Sequence, residues 1–227
     1  APEQIVLDAN QAAKGHRFFS LGAFDVSPDG NLLAYSSDTT GFRQYTLQFK
    51  DLRDGRVLPD RIERVRSIAW ASDNRTLFYA REDDTKRACC VYRHLLGAQA
   101  DQLIYEETDV RFSVSVSRSR SNEYLFLTSH SATTSEVRSL RADEAQANPE
   151  LILARRPDHE YYVDHGHGLF YIVTNDKGRN FRMVTVPVAD PAPSRWTEFI
   201  PHRKDVMLEG VEVFARHLVA HERAGGF

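Results

Sequence analysis

Five apolar anchors recur along the chain at nearly even spacing, and this period restricts the fold more than any other feature. Tyr35, Tyr79, Phe126, Tyr171 and Leu218 are separated by 44, 47, 45 and 47 residues. Each sits in a short apolar run, such as Leu77-Phe78-Tyr79 or Tyr124-Leu125-Phe126-Leu127. A period of this length in a chain of alternating segments marks propeller blades, each a four-stranded antiparallel sheet. The expected fold class is therefore all-β, a β-propeller fragment, with the five anchors largely buried on equivalent second strands.

The strands of each blade can be read around the anchors. Val26-Ser27-Pro28-Asp29-Gly30-Asn31-Leu32-Leu33-Ala34-Tyr35 lies over Trp70 to Tyr79 at a constant offset of 44 residues. In both, a turn of Ser, Pro, Asp, Gly or Asn separates two apolar runs, which predicts a hairpin of the first two strands. Arg43 to Phe49 alternates strictly and predicts a third strand. Its counterparts are Cys89 to Tyr92, Glu136 to Leu140 and Phe181 to Val186. Short outer strands are expected after Arg53-Asp54-Gly55-Arg56 and at Gln102–Tyr105, Leu151–Leu153 and Thr197–Ile200. The pattern gives four blades and the first hairpin of a fifth, Gly210 to His221. Residues 1–20 read as a lead-in with a short helix at Asn10–Lys14 stopped by Gly15, and residues 21–227 as a partial propeller domain. A blade series with an open edge at each end is expected to self-associate edge to edge, and to be part of a longer protein.

Composition narrows the partners. A net charge of −3 gives no reason to expect nucleic acid or an anionic membrane. No apolar run approaches the ~20 residues that span a bilayer, and no signal peptide is visible at Ala1-Pro2-Glu3-Gln4. The two cysteines, Cys89 and Cys90, are adjacent, a spacing unsuited to an unstrained disulfide. A reducing, cytoplasmic setting is the expectation.

Four segments at blade spacing carry a resemblance. Phe18 to Gly30, Tyr35 to Gly41, Ser129 to Glu136 and Thr174 to Arg182 resemble, in order, the propeller of oligopeptidase B-like members of the prolyl oligopeptidase family of serine peptidases. The resemblance covers essentially the whole chain. It implies a two-domain enzyme, in which a propeller covers the active site of an α/β-hydrolase domain and filters peptides by size. For the oligopeptidase B branch it implies hydrolysis of short peptides after Lys or Arg. The implied partners are the hydrolase domain of the same parent chain and short peptide substrates. The implied Ser, Asp and His lie in that domain, C-terminal to the propeller. Here the nucleophile elbow Gly-x-Ser-x-Gly occurs nowhere. We therefore assign no catalytic residue, and the chain alone is expected to be inactive. A prolyl-specific oligopeptidase and a free-standing propeller acting as a binding or interaction scaffold are the alternatives.

Other groupings have plainer readings. His159, His165 and His167 invite a metal, but Asp164-His165-Gly166-His167-Gly168 falls where a turn joins two strands, and nothing completes a four-ligand site. No metal or cofactor residue is assigned. Cys89 and Cys90 are expected as one buried and one exposed strand thiol. Trp70 and Trp196 are expected in packing. The loops between second and third strands repeat an acidic or polar start, as in Asp38 to Arg43, Asp83 to Arg87, His130 to Glu136 and Asn175 to Arg179. They read either as a polar face docked on the hydrolase domain or as local turn caps with exposed ion pairs.

Overall fold

A computed structural model of the chain describes residues 5–225. It is nearly all β. The first sheet runs in the order β1 (Ser20–Val26), β2 (Leu32–Asp38), β3 (Thr46–Asp51) and β4 (Val57–Glu63). The second holds β5 (Val65–Trp70), β6 (Thr76–Glu82), β7 (Ala88–Leu95) and β8 (Gln102–Glu106). The third holds β9 (Ser113–Arg118), β10 (Tyr124–His130), β11 (Ser135–Arg141) and β12 (Glu150–Leu153). The fourth holds β13 (Tyr161–Gly166), β14 (Leu169–Thr174), β15 (Arg182–Pro187) and β16 (Thr197–Ile200). A hairpin of β17 (Val206–Val213) and β18 (Leu218–Ala224) follows. The expected four blades and fifth hairpin are all present. The one α-helix among the described residues, α1 (Ala9–Ala12), is capped by the Asp8 carboxylate, which accepts from the amides of Asn10 and Gln11. Gly15 follows it with φ +82°.

The chain forms two compact units, residues 1–117 and 118–227. In the first, Leu47, Phe49, Trp70, Leu77 and Tyr79 form the core. In the second, Phe126, Val137, Tyr161, Phe170 and Ile172 form one cluster, and Phe181, Met183 and Leu208 belong to another. Burial alternates along β3, as a strand with one covered face requires.

The hairpin turns share one backbone scheme. Ser27 N–H donates to Leu32 O, Ala71 N–H to Thr76 O and Ser119 N–H to Tyr124 O, at 2.8 to 2.9 Å. The fourth residue of each turn has positive φ: Gly30 at +77°, Asn74 at +59° and Asn122 at +64°. Glycine and asparagine enter that region at least strain, which is why the turn sequences repeat. In the fourth blade the turn shortens to His167 and Gly168, both at positive φ, the geometry of a two-residue hairpin.

Three expectations are corrected. Strand β3 begins at Thr46, not Arg43, because Arg43 has φ +57° and donates its amide to the Asp38 carboxylate at 2.7 Å. Tyr35, Tyr79 and Phe126 are buried on equivalent second strands, but Tyr171 and Leu218 are half-buried. Tyr171 lies on sheet β13–β16 and Leu218 on the two-stranded hairpin beside it, and both pack at the margin of the cluster around Phe181, Met183 and Leu208. His165 lies within β13 and is buried; only His167 is on the turn.

Candidate functional site

Antiparallel pairing places the loops between second and third strands, and the connectors leaving the fourth strands, at one end of each blade. Ser20 pairs with Asp38 and Thr46 with Glu63, so the start of β1, the end of β2, the start of β3 and the end of β4 share that end. Functional loops of such scaffolds cluster at one end.

The carboxylates of these loops work locally. Asp38, 1% exposed, accepts from Thr40 N and Oγ1 at 2.8 and 2.6 Å and from Arg43 N at 2.7 Å. Its carboxyl is held below the usual range: burial alone would raise it, and the bonds from Thr40 and Arg43 together outweigh burial. Asp83 repeats the arrangement, accepting from Thr85 N and Oγ1 and from Arg87 N, with its carboxyl lowered chiefly by the Thr85 hydroxyl. The Arg87 guanidinium donates to the carbonyls of Glu107, Asp109 and Phe112, binding its loop to the connector between β8 and β9. In the second unit Arg182 makes two bonds to Asp176, at 2.8 and 2.7 Å, and reaches Glu198 at 3.1 Å. Turn capping thus describes Asp38 and Asp83, whereas Asp176 and Asp84 are held in ion pairs with Arg182 and Arg64. Apolar groups remain at this end of the first blade: Phe42 is 67% exposed, and Phe18, also exposed, lies against Gly41.

At the opposite end, side chains tie adjacent turns. Asn74 Oδ1 accepts from the Asp29 amide at 2.9 Å. In the second unit Asp164 accepts from the amides of Arg120 at 3.0 Å and Val213 at 3.3 Å. Beside it, Ser121 Oγ lies 2.8 Å from His165 Nδ1, and Glu123 comes within 4.0 Å of the same nitrogen. A nucleophilic relay needs the serine on one ring nitrogen and the carboxylate on the other. Here both face Nδ1, so the group locks a turn. Burial depresses the His165 pKa, against smaller opposing effects of Glu123 and Asp164.

Trp70 is core, with its Nε1–H donating to Asp25 O. Trp196 is half-buried, donates to Pro191 O and packs on the cluster around Phe170. Cys89 and Cys90 are both half-buried, with Sγ atoms 3.2 Å apart. Residues Arg81 and Glu82 pair with Cys90 and Ala88, so Cys89 is the extra residue of a bulge and the alternation breaks there. Burial first, then the Cys89 thiol, pushes the Cys90 pKa up to about 12, which leaves it a thiol rather than a reactive thiolate. Among the described residues no three His, Cys, Asp or Glu side chains gather for a metal ion.

Two polar clusters carry no local sequence signal. His94 bridges Asp101 at 2.7 Å and Asp60 at 3.1 Å, and Tyr79 donates to Asp101 at 2.6 Å. Asp60 lies 34 residues from His94, beyond any motif spacing. Tyr161, 0% exposed, donates to Leu153 O at 2.5 Å and accepts from Val137 N at 2.7 Å.

The whole chain, residues 1–227, matches the family described as prolyl oligopeptidase, N-terminal beta-propeller domain. It is 39% identical over 230 residues to dipeptidyl aminopeptidase BI of Pseudoxanthomonas mexicana, covering 99% of this chain and 32% of that protein. Among solved structures, oligopeptidase B from Leishmania major superposes with a TM-score of 0.90 at 30% identity, over 97% of this chain and 32% of that one. Oligopeptidase B from Trypanosoma brucei, with covalently bound antipain, gives 0.89 at 33% identity, over 98% of this chain and 32% of that one. The chain thus spans about a third of the length of these relatives.

Proposed function

The chain belongs to the prolyl oligopeptidase family, whose N-terminal β-propeller domain it matches, and from that premise we propose that it is the substrate-gating propeller portion of a serine oligopeptidase. The observation that carries this reading is the match to oligopeptidase B along nearly the whole chain, in sequence and in backbone. On this reading residues 21–227 are a partial propeller, residues 1–20 are its lead-in, and an α/β-hydrolase domain of the same parent holds the Ser, Asp and His. The parent hydrolyses short peptides after Lys or Arg, in the cytoplasm, where Cys89 and Cys90 stay as free thiols.

The physical role is exclusion. A sheet-built scaffold deforms little, so a rigid cover over a reactive serine admits a flexible peptide and rejects a folded protein. The capped loops suit such a cover, because Asp38 and Asp83 hold their loops through part-buried bonds. The exposed Phe18 and Phe42 at the same end supply apolar surface for docking on the hydrolase domain.

Labelling with a serine-directed fluorophosphonate tests the division of labour. The 227-residue chain remains unlabelled and leaves an Arg-containing reporter peptide intact, whereas the parent is labelled and cleaves after Arg or Lys. Stoichiometric labelling of the 227-residue chain overturns the placement of the serine. Cleavage by the parent only after Pro transfers the identity to a prolyl-specific oligopeptidase.

A further inference from the structure

Cys89 and Cys90 are neighbours in β7, and a regular strand would send their side chains to opposite faces of the sheet. The bulge prevents that. Arg81 pairs with Cys90 and Glu82 with Ala88, so Cys89 is left without a partner on β6, and its Sγ comes to stand 3.2 Å from that of Cys90. Strand β8 fixes the pair from the other side: Cys90 faces Glu106, and the Glu107 amide donates to Cys89 O at 2.8 Å. Both thiols are free and half-buried. The backbone therefore presents two sulfurs side by side at the surface.

Their separation specifies what they can hold. It is too long for a disulfide, whose sulfurs lie about 2.05 Å apart. Bonds of about 2.3 Å from each sulfur to one shared atom would meet at roughly 90°. A tetrahedral zinc ion spreads its sulfurs to about 3.8 Å and takes four ligands. Among the described residues no third His, Cys, Asp or Glu joins the pair. A narrow angle with one position left over suits a pyramidal atom that carries a lone pair and brings its own third substituent. Trivalent arsenic bearing one organic group meets both conditions. Proton balance points the same way. A metal ion binds thiolates and must expel both protons. Burial first, then the Cys89 thiol, pushes the Cys90 pKa up to about 12, which opposes that loss at pH 7. An organic arsenic oxide carries the oxygen that takes both protons away.

We propose that Cys89 and Cys90 form a bidentate site for a monosubstituted trivalent arsenical. Both S–H bonds and the arsenic–oxygen bonds break, two arsenic–sulfur bonds form, and the oxygen leaves with the two protons as water. Arsenic stays trivalent, so no oxidant or reductant takes part.

Intact-mass spectrometry of the 227-residue chain with phenylarsine oxide tests this. One phenylarsenic group per chain is expected, gained with the loss of two thiol hydrogens. A small 1,2-dithiol in excess should remove it, whereas glutathione, a monothiol, should not. Cys89→Ser alters only the side chain of the bulge residue and is expected to fold normally, while loss of the second sulfur weakens retention by about a hundredfold or more. Cys90→Ser should do the same; if circular dichroism shows that it does not fold, Cys89→Ser decides. A synthetic peptide of residues 86–92 has to order the pair on binding and should hold the arsenical at least about tenfold more weakly than the folded chain. No adduct on the folded chain, removal by glutathione, undiminished retention in Cys89→Ser, or equal affinity of the peptide each overturns the proposal.

Discussion

Replacing Tyr161 by Phe removes a single oxygen, and the structure assigns that oxygen two bonds. Tyr161 Oη donates to Leu153 O at 2.5 Å and accepts from Val137 N at 2.7 Å. Val137 and Leu153 face each other where the register between β11 and β12 shifts, so the phenol fills a gap that the ladder leaves between them. The substitution keeps the ring and creates almost no cavity. It leaves a buried N–H and a buried C=O each short of one partner, at about 1–3 kcal/mol per group, and a total of roughly 2–4 kcal/mol is expected after local relaxation. A hydrophobic-transfer argument predicts the opposite sign, since phenylalanine is the less polar residue. Urea unfolding followed by far-UV circular dichroism measures the difference, with an unchanged slope confirming that only stability moved. A loss under about 0.5 kcal/mol, the scale of surface changes, would refute the assigned role of the hydroxyl.

Truncation to Ala should separate the anchors: Phe126 loses about 3–5 kcal/mol as a core aromatic, and half-buried Tyr171 roughly 1–2 kcal/mol, measured by the same unfolding assay; equal losses would contradict their different burial. Burial lowers the pKa of both His159 and His165, so the unfolded chain binds more protons below their ordinary value of 6.5. Stability should therefore be full above that pH and fall as the pH drops from 6.5 toward the depressed folded values, and a flat denaturation midpoint between pH 7.5 and 5 would count against it. Light scattering over a wide concentration range should detect self-association through open strand edges, and a strict monomer would show the edges to be shielded.

The repeat spacing made the blades legible, because each blade solves the same packing problem with the same turn. Strand existence and order followed from alternation and from the Pro, Asp, Gly and Asn punctuation. Boundaries were harder: Arg43 continues the alternation of β3 in sequence, yet Asp38 captures its amide and bends it out of the strand. Alternation also states which residues share a face without stating what covers that face, so Tyr171 reads like Tyr79 although its cover is thinner. Contacts such as His94 with Asp60, or Ser121 with His165, join residues 34 and 44 positions apart and exist only once the sheets have packed.

The two ends of the blades differ in who satisfies their backbone amides. At one end Asn74 serves the turn at Asp29 and Asp164 serves the turns at Arg120 and Val213, so a change in one turn is felt by its neighbour. At the other, Asp38 and Asp83 each serve their own loop. The second arrangement is only partly modular. Each aspartate keeps its cap within its own loop, yet Lys86 Nζ donates to Phe42 O in the neighbouring loop and the Arg87 guanidinium holds the connector between β8 and β9. A loop graft at this end therefore has to carry the capping aspartate with its amides and leave Phe42, Lys86 and Arg87 in place.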